Sequence, residues 1–180
     1  MQKADLLDGS LFACSAAAVI IVYVKDFKMD GQSPEMFVKP IGFVGSRVKS
    51  KQEPAYDWHE EISQIKVDRK FSRALESLEK YSHIIVIYWL HQTDYARISL
   101  EVHPRGDEEL PLVGLFASRS PYRPNPLGQK VVRLLRRQDD VLWVKGLDAV
   151  DGTPVLDIKP YIPDYDSVAD ATTPQWNQKE

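Results

Sequence analysis

A chain of 180 residues, 43% hydrophobic and 27% charged, is most simply one domain, large enough to bury a full core without metal or disulfide staples. Its single cysteine, Cys14, excludes an internal disulfide and a thiolate zinc site, and without a secretory pattern a reducing cytoplasmic compartment is the default. The formal net charge of -3 does not exclude a nucleic-acid partner, because six basic residues and no acidic one lie between Arg119 and Arg137 while the tail after Ile162 is acidic and polar.

In chain order, the apolar run Leu11 to Val24 is 14 residues long and follows Asp5 and Asp8. It is shorter than the roughly 20 residues a membrane span needs and lacks the basic flank of a signal peptide. Met36 opens Met-Phe-Val-Lys-Pro-Ile-Gly, which reads as a domain start, so residues 1–35 are expected to be an extension or the product of an over-extended start site. The domain proper is expected over 36–167, with 168–180 a polar tail. Within it, short β-branched or aromatic runs predict strands at Phe37–Val44, Glu61–Val67, His83–Leu90, Ile98–Val102, Leu112–Ala117, Lys130–Leu135, Val141–Lys145 and Val155–Ile158. One helix is predicted near 69–80, capped by Asp68, with Phe71, Leu75 and Leu78 on one face. Many strands with one helical crossover predict a mainly β fold, a small antiparallel or mixed barrel, and not a doubly wound sheet.

Several chemistries are excluded by pattern. There is no Gly-x-Gly-x-x-Gly after a strand, no Gly-x-x-x-x-Gly-Lys loop, no His-Glu-x-x-His and no Gly-x-Ser-x-Gly elbow, so Rossmann cofactor binding, metal dependence and α/β-hydrolase chemistry are not expected. The informative stretch is Gly114 to Gly128, where Pro121, Pro124 and Pro126 fix backbone torsions and make a stiff loop. It displays Arg119, Arg123 and Asn125, whose donors suit carboxylates, phosphates and base edges. Asp151-Gly152-Thr153-Pro154 reads as a tight turn, in which the aspartate bonds its own backbone.

Long blocks then carry a resemblance: Pro-Ile-Gly at Pro40 to Gly42, the run from Tyr81 to Gln92, and Val-His-Pro-Arg-Gly at Val102 to Gly106. To these are added Ser-Arg-Ser-Pro-Tyr-Arg-Pro-Asn-Pro-Leu-Gly at Ser118 to Gly128 and the run from Gly146 to Pro163. They resemble, in order, the TsaA-like (TrmO or YaeB) tRNA methyltransferases over Phe37 to Ser167. The resemblance implies a small β-barrel that binds S-adenosylmethionine, a homodimer, and methyl transfer to N6 of threonylcarbamoyladenosine beside the anticodon of tRNA. Its cofactor contacts carry over to His91, Gln92, Arg119, Gln129, Lys145, Gly146, Leu147 and Asp148. Many bacterial members have Pro-Arg-Gln-Pro early in the domain, where this chain has Glu53-Pro54-Ala55-Tyr56-Asp57-Trp58, so those contacts are replaced here.

The residue chemistry is compatible with that implication. Arg119 suits a carboxylate through a bidentate pair, and Asp148 suits the ribose or the ammonium. Asp148 and Asp151 are the candidates for polarising the acceptor N–H. Tyr122 or Tyr161 is the candidate for stacking on the base, and Arg123 or Lys159 for reading the threonylcarbamoyl carboxylate. Three other readings fit the same residues: a methyltransferase with a different acceptor, a non-catalytic binding module, and an internal Arg119–Asp148 ion pair that only holds loop to strand.

Overall fold

The structure, a computed structural model, describes residues 20–22, 36–50 and 56–177. The chain divides after Pro40 into two units. In the first, β1 (Ile20–Val22) and β2 (Met36–Val38) pair antiparallel, with Val22 opposite Met36. The rest of 1–35, on which the expectation of an extension bears, lies outside the described residues.

In the second unit, β3 (Gly42–Gly45), β4 (Ile62–Val67) and β5 (His83–Trp89) precede a two-residue ladder of β6 (Glu101–Val102) and β7 (Val113–Gly114). β8 (Leu127–Gln138), β9 (Val141–Lys145) and β10 (Pro154–Pro160) follow. The six strands other than this ladder close into an antiparallel barrel in the order β10-β3-β4-β9-β8-β5. Alternation along each strand sends Ile65, Ile84, Val86, Leu142 and Val144 inward, where all are fully buried. Each contributes about 2 kcal/mol of burial. The expectation of a small barrel without a Rossmann sheet is met.

Four predicted elements take another form. The run Phe37–Val44 is broken into two strands: Pro40 cannot donate to a ladder, and β3 starts at Gly42, where a Cβ would come within 2.4 Å of the Lys66 carbonyl oxygen. The runs Ile98–Val102 and Leu112–Ala117 supply only β6, β7 and the 3-10 turn Leu115–Ala117. The helix near 69–80 is two 3-10 segments, Arg69–Leu75 and Leu78–Lys80, interrupted by Ser77 at φ 70. Its predicted cap is present, with the Asp68 carboxylate accepting from the Lys70 amide at 3.1 Å. No helix among the described residues is long and apolar enough to cross a membrane.

The strand directions sort the connections. The connections that leave β3, β5 and β9, described over 46–50, 56–61, 90–126 and 146–153, all emerge at one end of the barrel. Residues 68–82 and 139–140, with the exit of β10, lie at the other. About 20 Å of strand separates the two ends of β5.

Candidate functional site

The site is built at the end where β5 finishes. Tyr88 points inward as part of the core, opposite Gly128 on β8. A Cβ at 128 would lie 2.3 Å from the tyrosine ring, so only glycine lets the ring rest against that strand. The ring's hydroxyl donates to Asp148 Oδ1 at 2.7 Å, and Lys130 Nζ stands 3.5 Å from Asp148 Oδ2. Burial first, and then the Asp148 carboxylate, push the Tyr88 phenol far above its ordinary range, while the Arg119 guanidinium acts in the opposite sense. Arg119 therefore belongs electrostatically to the same place.

The proline-rich loop that presents Arg119 is fastened by its own residues. Ser118 Oγ donates to Leu115 O at 2.8 Å, Arg123 Nη1 donates to Ser118 O at 2.9 Å, and the Arg123 guanidinium lies 5.5 Å from the centre of the Phe116 ring. Pro126 is fully buried, and its carbonyl accepts from the Leu90 amide at 2.8 Å. Between this loop and the barrel opens a cavity of about 760 Å³ whose lining includes Tyr88, Arg119, Asn125, Gln129, Lys130 and Asp148. Asp148 is the only carboxylate among the lining residues, and it pairs with Lys130 and not with Arg119. Arg119 makes no hydrogen bond or ion pair with a described residue, so the internal Arg119–Asp148 pair is not formed.

His91 and Gln92 follow β5 directly and line a second, smaller cavity of about 40 Å³ together with Trp58, Asp148 and Val150. Gln92 Nε2 donates to Lys49 O at 3.0 Å. Asp151 fastens the neighbouring connection: Oδ1 accepts from the Ser46 amide at 3.0 Å and Oδ2 from Lys49 Nζ at 2.8 Å. These bonds, that of Lys49 foremost, hold its carboxyl below the usual range. Of the two candidate acids, Asp148 lines both cavities, and Asp151 lines neither.

The segment that departs from the Pro-Arg-Gln-Pro pattern has its own anchor. Residues 53–55 lie outside the described residues. Tyr56 donates its hydroxyl to the fully buried Glu61, which also receives Arg47 Nη2 at 3.0 Å and Ser46 Oγ at 3.3 Å. Burial opposes the charge on Glu61, but the Tyr56 and Arg47 bonds outweigh it, and its carboxyl lies below the usual range. Tyr56 in turn meets Trp58 edge to face with ring centres 5.2 Å apart. Trp58 is thereby set beside His91 and Gln92.

Not every predicted site residue comes to this end in the same way. Of the run 145–148, Lys145 is bonded to Glu60 at 2.8 Å, Gly146 makes the turn at φ 90, Leu147 is fully buried, and only Asp148 lines these cavities. Tyr122 lies on the presenting loop under the Arg97 guanidinium, 4.5 Å from the ring centre. Lys159 and Tyr161 lie at the opposite end: Lys159 is paired with Asp157 at 2.7 Å, and the Tyr161 amide donates to His83 O. Sequence reasoning gave Tyr88 and Glu61 no place in the site, and named Lys130 only as part of a basic block and Trp58 only as part of a departing segment. Gly128 interrupting an apolar register was the available signal for Tyr88.

Comparison with known proteins gives a consistent picture. The sequence profile of the tRNA-methyltransferase O N-terminal domain matches residues 49–167. A probable S-adenosyl-L-methionine-binding protein of Methanothermobacter thermautotrophicus is 43% identical over 136 residues, 74% of this chain and 96% of that one. A tRNA (adenine(37)-N6)-methyltransferase of Mus musculus is 30% identical over 147 residues, 76% of this chain but 33% of the mouse protein. A crystal structure of TrmO from Pseudomonas aeruginosa superposes with a TM-score of 0.58 at 36% identity, over 75% of this chain and 60% of that one. The chain thus spans about a third of the mouse protein's length and three-fifths of that solved chain.

Proposed function

The chain belongs to the tRNA-methyltransferase O N-terminal domain family, and from that premise we propose that it transfers the methyl group of S-adenosylmethionine to N6 of threonylcarbamoyladenosine beside the anticodon of tRNA. The observation that carries this reading is the division of charge in the cavity of about 760 Å³, where Asp148 is held by Tyr88 and Lys130 while Arg119 has no carboxylate of its own. S-adenosylmethionine supplies an electrophilic sulfonium methyl and offers a carboxylate, an ammonium, a ribose and an adenine as handles. The residues fit it: Arg119 presents a fork of donors for the carboxylate, and Gln129 is a neutral polar partner on the strand beneath. His91 and Gln92, with Trp58 where the Pro-Arg-Gln-Pro contacts would be, complete the cofactor side.

Transfer breaks the sulfur–methyl bond, forms the N6–methyl bond and leaves one proton to be removed from N6. Alignment of donor and acceptor supplies much of the rate. Asp148 is the acid placed to polarise the N6–H, because its Oδ1 is occupied by the Tyr88 hydroxyl and its Oδ2 is met only loosely by Lys130. Arg123, which retains donors after its bond to Ser118, is the reader of the threonylcarbamoyl carboxylate at this end of the barrel. Lys159 and Tyr161 take no part. Assembly as a homodimer belongs to the same reading and would cover the exposed Leu100 and Leu112.

The test is transfer of labelled methyl to two matched tRNAs, one carrying threonylcarbamoyladenosine beside the anticodon and one carrying plain adenosine. Label on the modified tRNA alone is the expected result. Cofactor binding with label on neither tRNA would overturn the proposal and leave a binding module.

A further inference from the structure

The Val-His-Pro-Arg-Gly block has no part in the site described so far. It folds into consecutive tight turns, with the Gly106 amide donating to His103 O at 3.0 Å and the Asp107 amide to Pro104 O at 3.1 Å. Arg105 sits at φ 61 and Gly106 at φ 73. The left-handed conformation costs a residue with a Cβ about 1–2 kcal/mol, and such strain gathers where a side chain must be presented in one direction. Arg105 is exposed and forms no hydrogen bond or ion pair with a described residue. His103 Nδ1 donates to Leu110 O at 2.8 Å, which fixes the ring and leaves Nε2 for another partner.

His103 and Arg105 line a cavity of about 830 Å³ with Tyr122 and Trp176. Segment Phe116–Pro121 is a wall common to this cavity and the one that holds Asp148, and Arg119 lines both. Glu108 is the single carboxylate of the new cavity, against two guanidinium groups. Aromatic faces beside unpaired cations are the chemistry of a stacked base with its phosphate, the sequence-tolerant mode by which single strands are held.

Building on the RNA acceptor proposed above, we infer that this cavity is a subsite for an unpaired RNA nucleotide next to the one that is methylated. Its base rests against Trp176 and Tyr122, and its phosphate meets Arg105. The common wall then sets the strand's path, with one nucleotide on each side of Phe116–Pro121 and Arg119 between them.

The experiment uses the full chain, a short single-stranded RNA of anticodon-loop sequence, and the variants Arg105→Gly and Trp176→Ala. Glycine at 105 keeps the left-handed turn and removes only the guanidinium. Fluorescence anisotropy at several salt concentrations is expected to show Trp176→Ala weakening RNA binding about 5- to 100-fold with an unchanged salt slope, as loss of one stacking contact does. Arg105→Gly is expected to weaken binding and lower the slope by about 0.7, the signature of one lost phosphate contact on a single strand. Both variants should keep the wild-type melting temperature and calorimetric affinity for S-adenosylmethionine. Unchanged RNA binding in both variants overturns the inference, as does a parallel loss of cofactor affinity, which would assign the cavity to the cofactor. If RNA binding falls as expected but threonylcarbamoyl-tRNA is never methylated, the proposed reaction fails and the subsite stands. If that tRNA is methylated with an unchanged KM in both variants, the reaction stands and the subsite fails.

Discussion

Where β5 begins, Lys70 is paired with Asp68 at 2.6 Å, Arg137 with Glu79 at 3.5 Å and Lys159 with Asp157 at 2.7 Å. Where β5 finishes, Lys130 holds Asp148 and Lys49 holds Asp151, yet Arg119 and Arg105 face cavities without an acid of their own. Both ends draw on the same residue types. The difference lies in where cations without a bonded acid stand, because at the second end they line cavities, the position an anionic ligand needs.

The comparison can be broken by substitutions on either side. The largest effect is expected for Asp148→Asn, which keeps the shape but removes the acceptor charge; methyl transfer in single-turnover assays should fall about 10²- to 10⁴-fold, the range of a positioned acid–base group. A variant with wild-type turnover would leave Asp148 a structural anchor. Arg119→Ala should weaken S-adenosylmethionine binding in calorimetry by about 1.5–3 kcal/mol, typical of a charge-assisted bond, with no change in melting temperature. A drop in melting temperature at unchanged affinity would mean that its partner is internal after all.

Gly128→Ala tests the link between site and core. With a Cβ driven into the Tyr88 ring, urea unfolding should report about 1–3 kcal/mol lost, the usual cost of overpacking. Unchanged stability would show that the ring can move aside.

A smaller effect follows from Asp151, whose folded carboxyl lies below its unfolded value because of Lys49 and the Ser46 amide. Its contribution to stability is complete above the ordinary carboxylate range near pH 4 and is lost as pH falls through the lower folded value. Asp151→Asn should therefore flatten the acid limb of a stability–pH curve, and curves of equal steepness would remove the anchor from the account. Smallest of all, Lys159→Ala should leave methyl transfer unchanged and stability within about 0.5 kcal/mol, as for an ordinary surface substitution. A loss of transfer there would reopen the far end as part of the site.

The barrel was legible because its strands alternate. β4, β5 and β9 fall where β-branched runs fall, and the presenting loop is announced by three prolines that can enter neither helix nor ladder. The apolar runs at Ile98–Val102 and Leu112–Ala117 promised longer strands than they make, because they pair only with each other, over two residues, and with no strand of the barrel. Of the residues nominated from the sequence, His91, Gln92 and Arg119 line cavities at this end. The site was not legible where folding joins distant positions, as Tyr88 and Asp148 do from 60 residues apart. Lys159 and Tyr161 were drawn toward the site by belonging to one continuous block with Asp148. β10 runs the barrel's length in between, and contiguity in sequence became separation in space.

The donor role of the Tyr88 hydroxyl has a consequence for how the site is held. Burial and the Asp148 carboxylate move its ionisation upward, so the phenol keeps its proton to donate. The bond to Asp148 therefore keeps one polarity, with the phenol as donor and the carboxylate as acceptor. The barrel wall thus holds one oxygen of the carboxylate from behind and leaves the other to the cavity and Lys130.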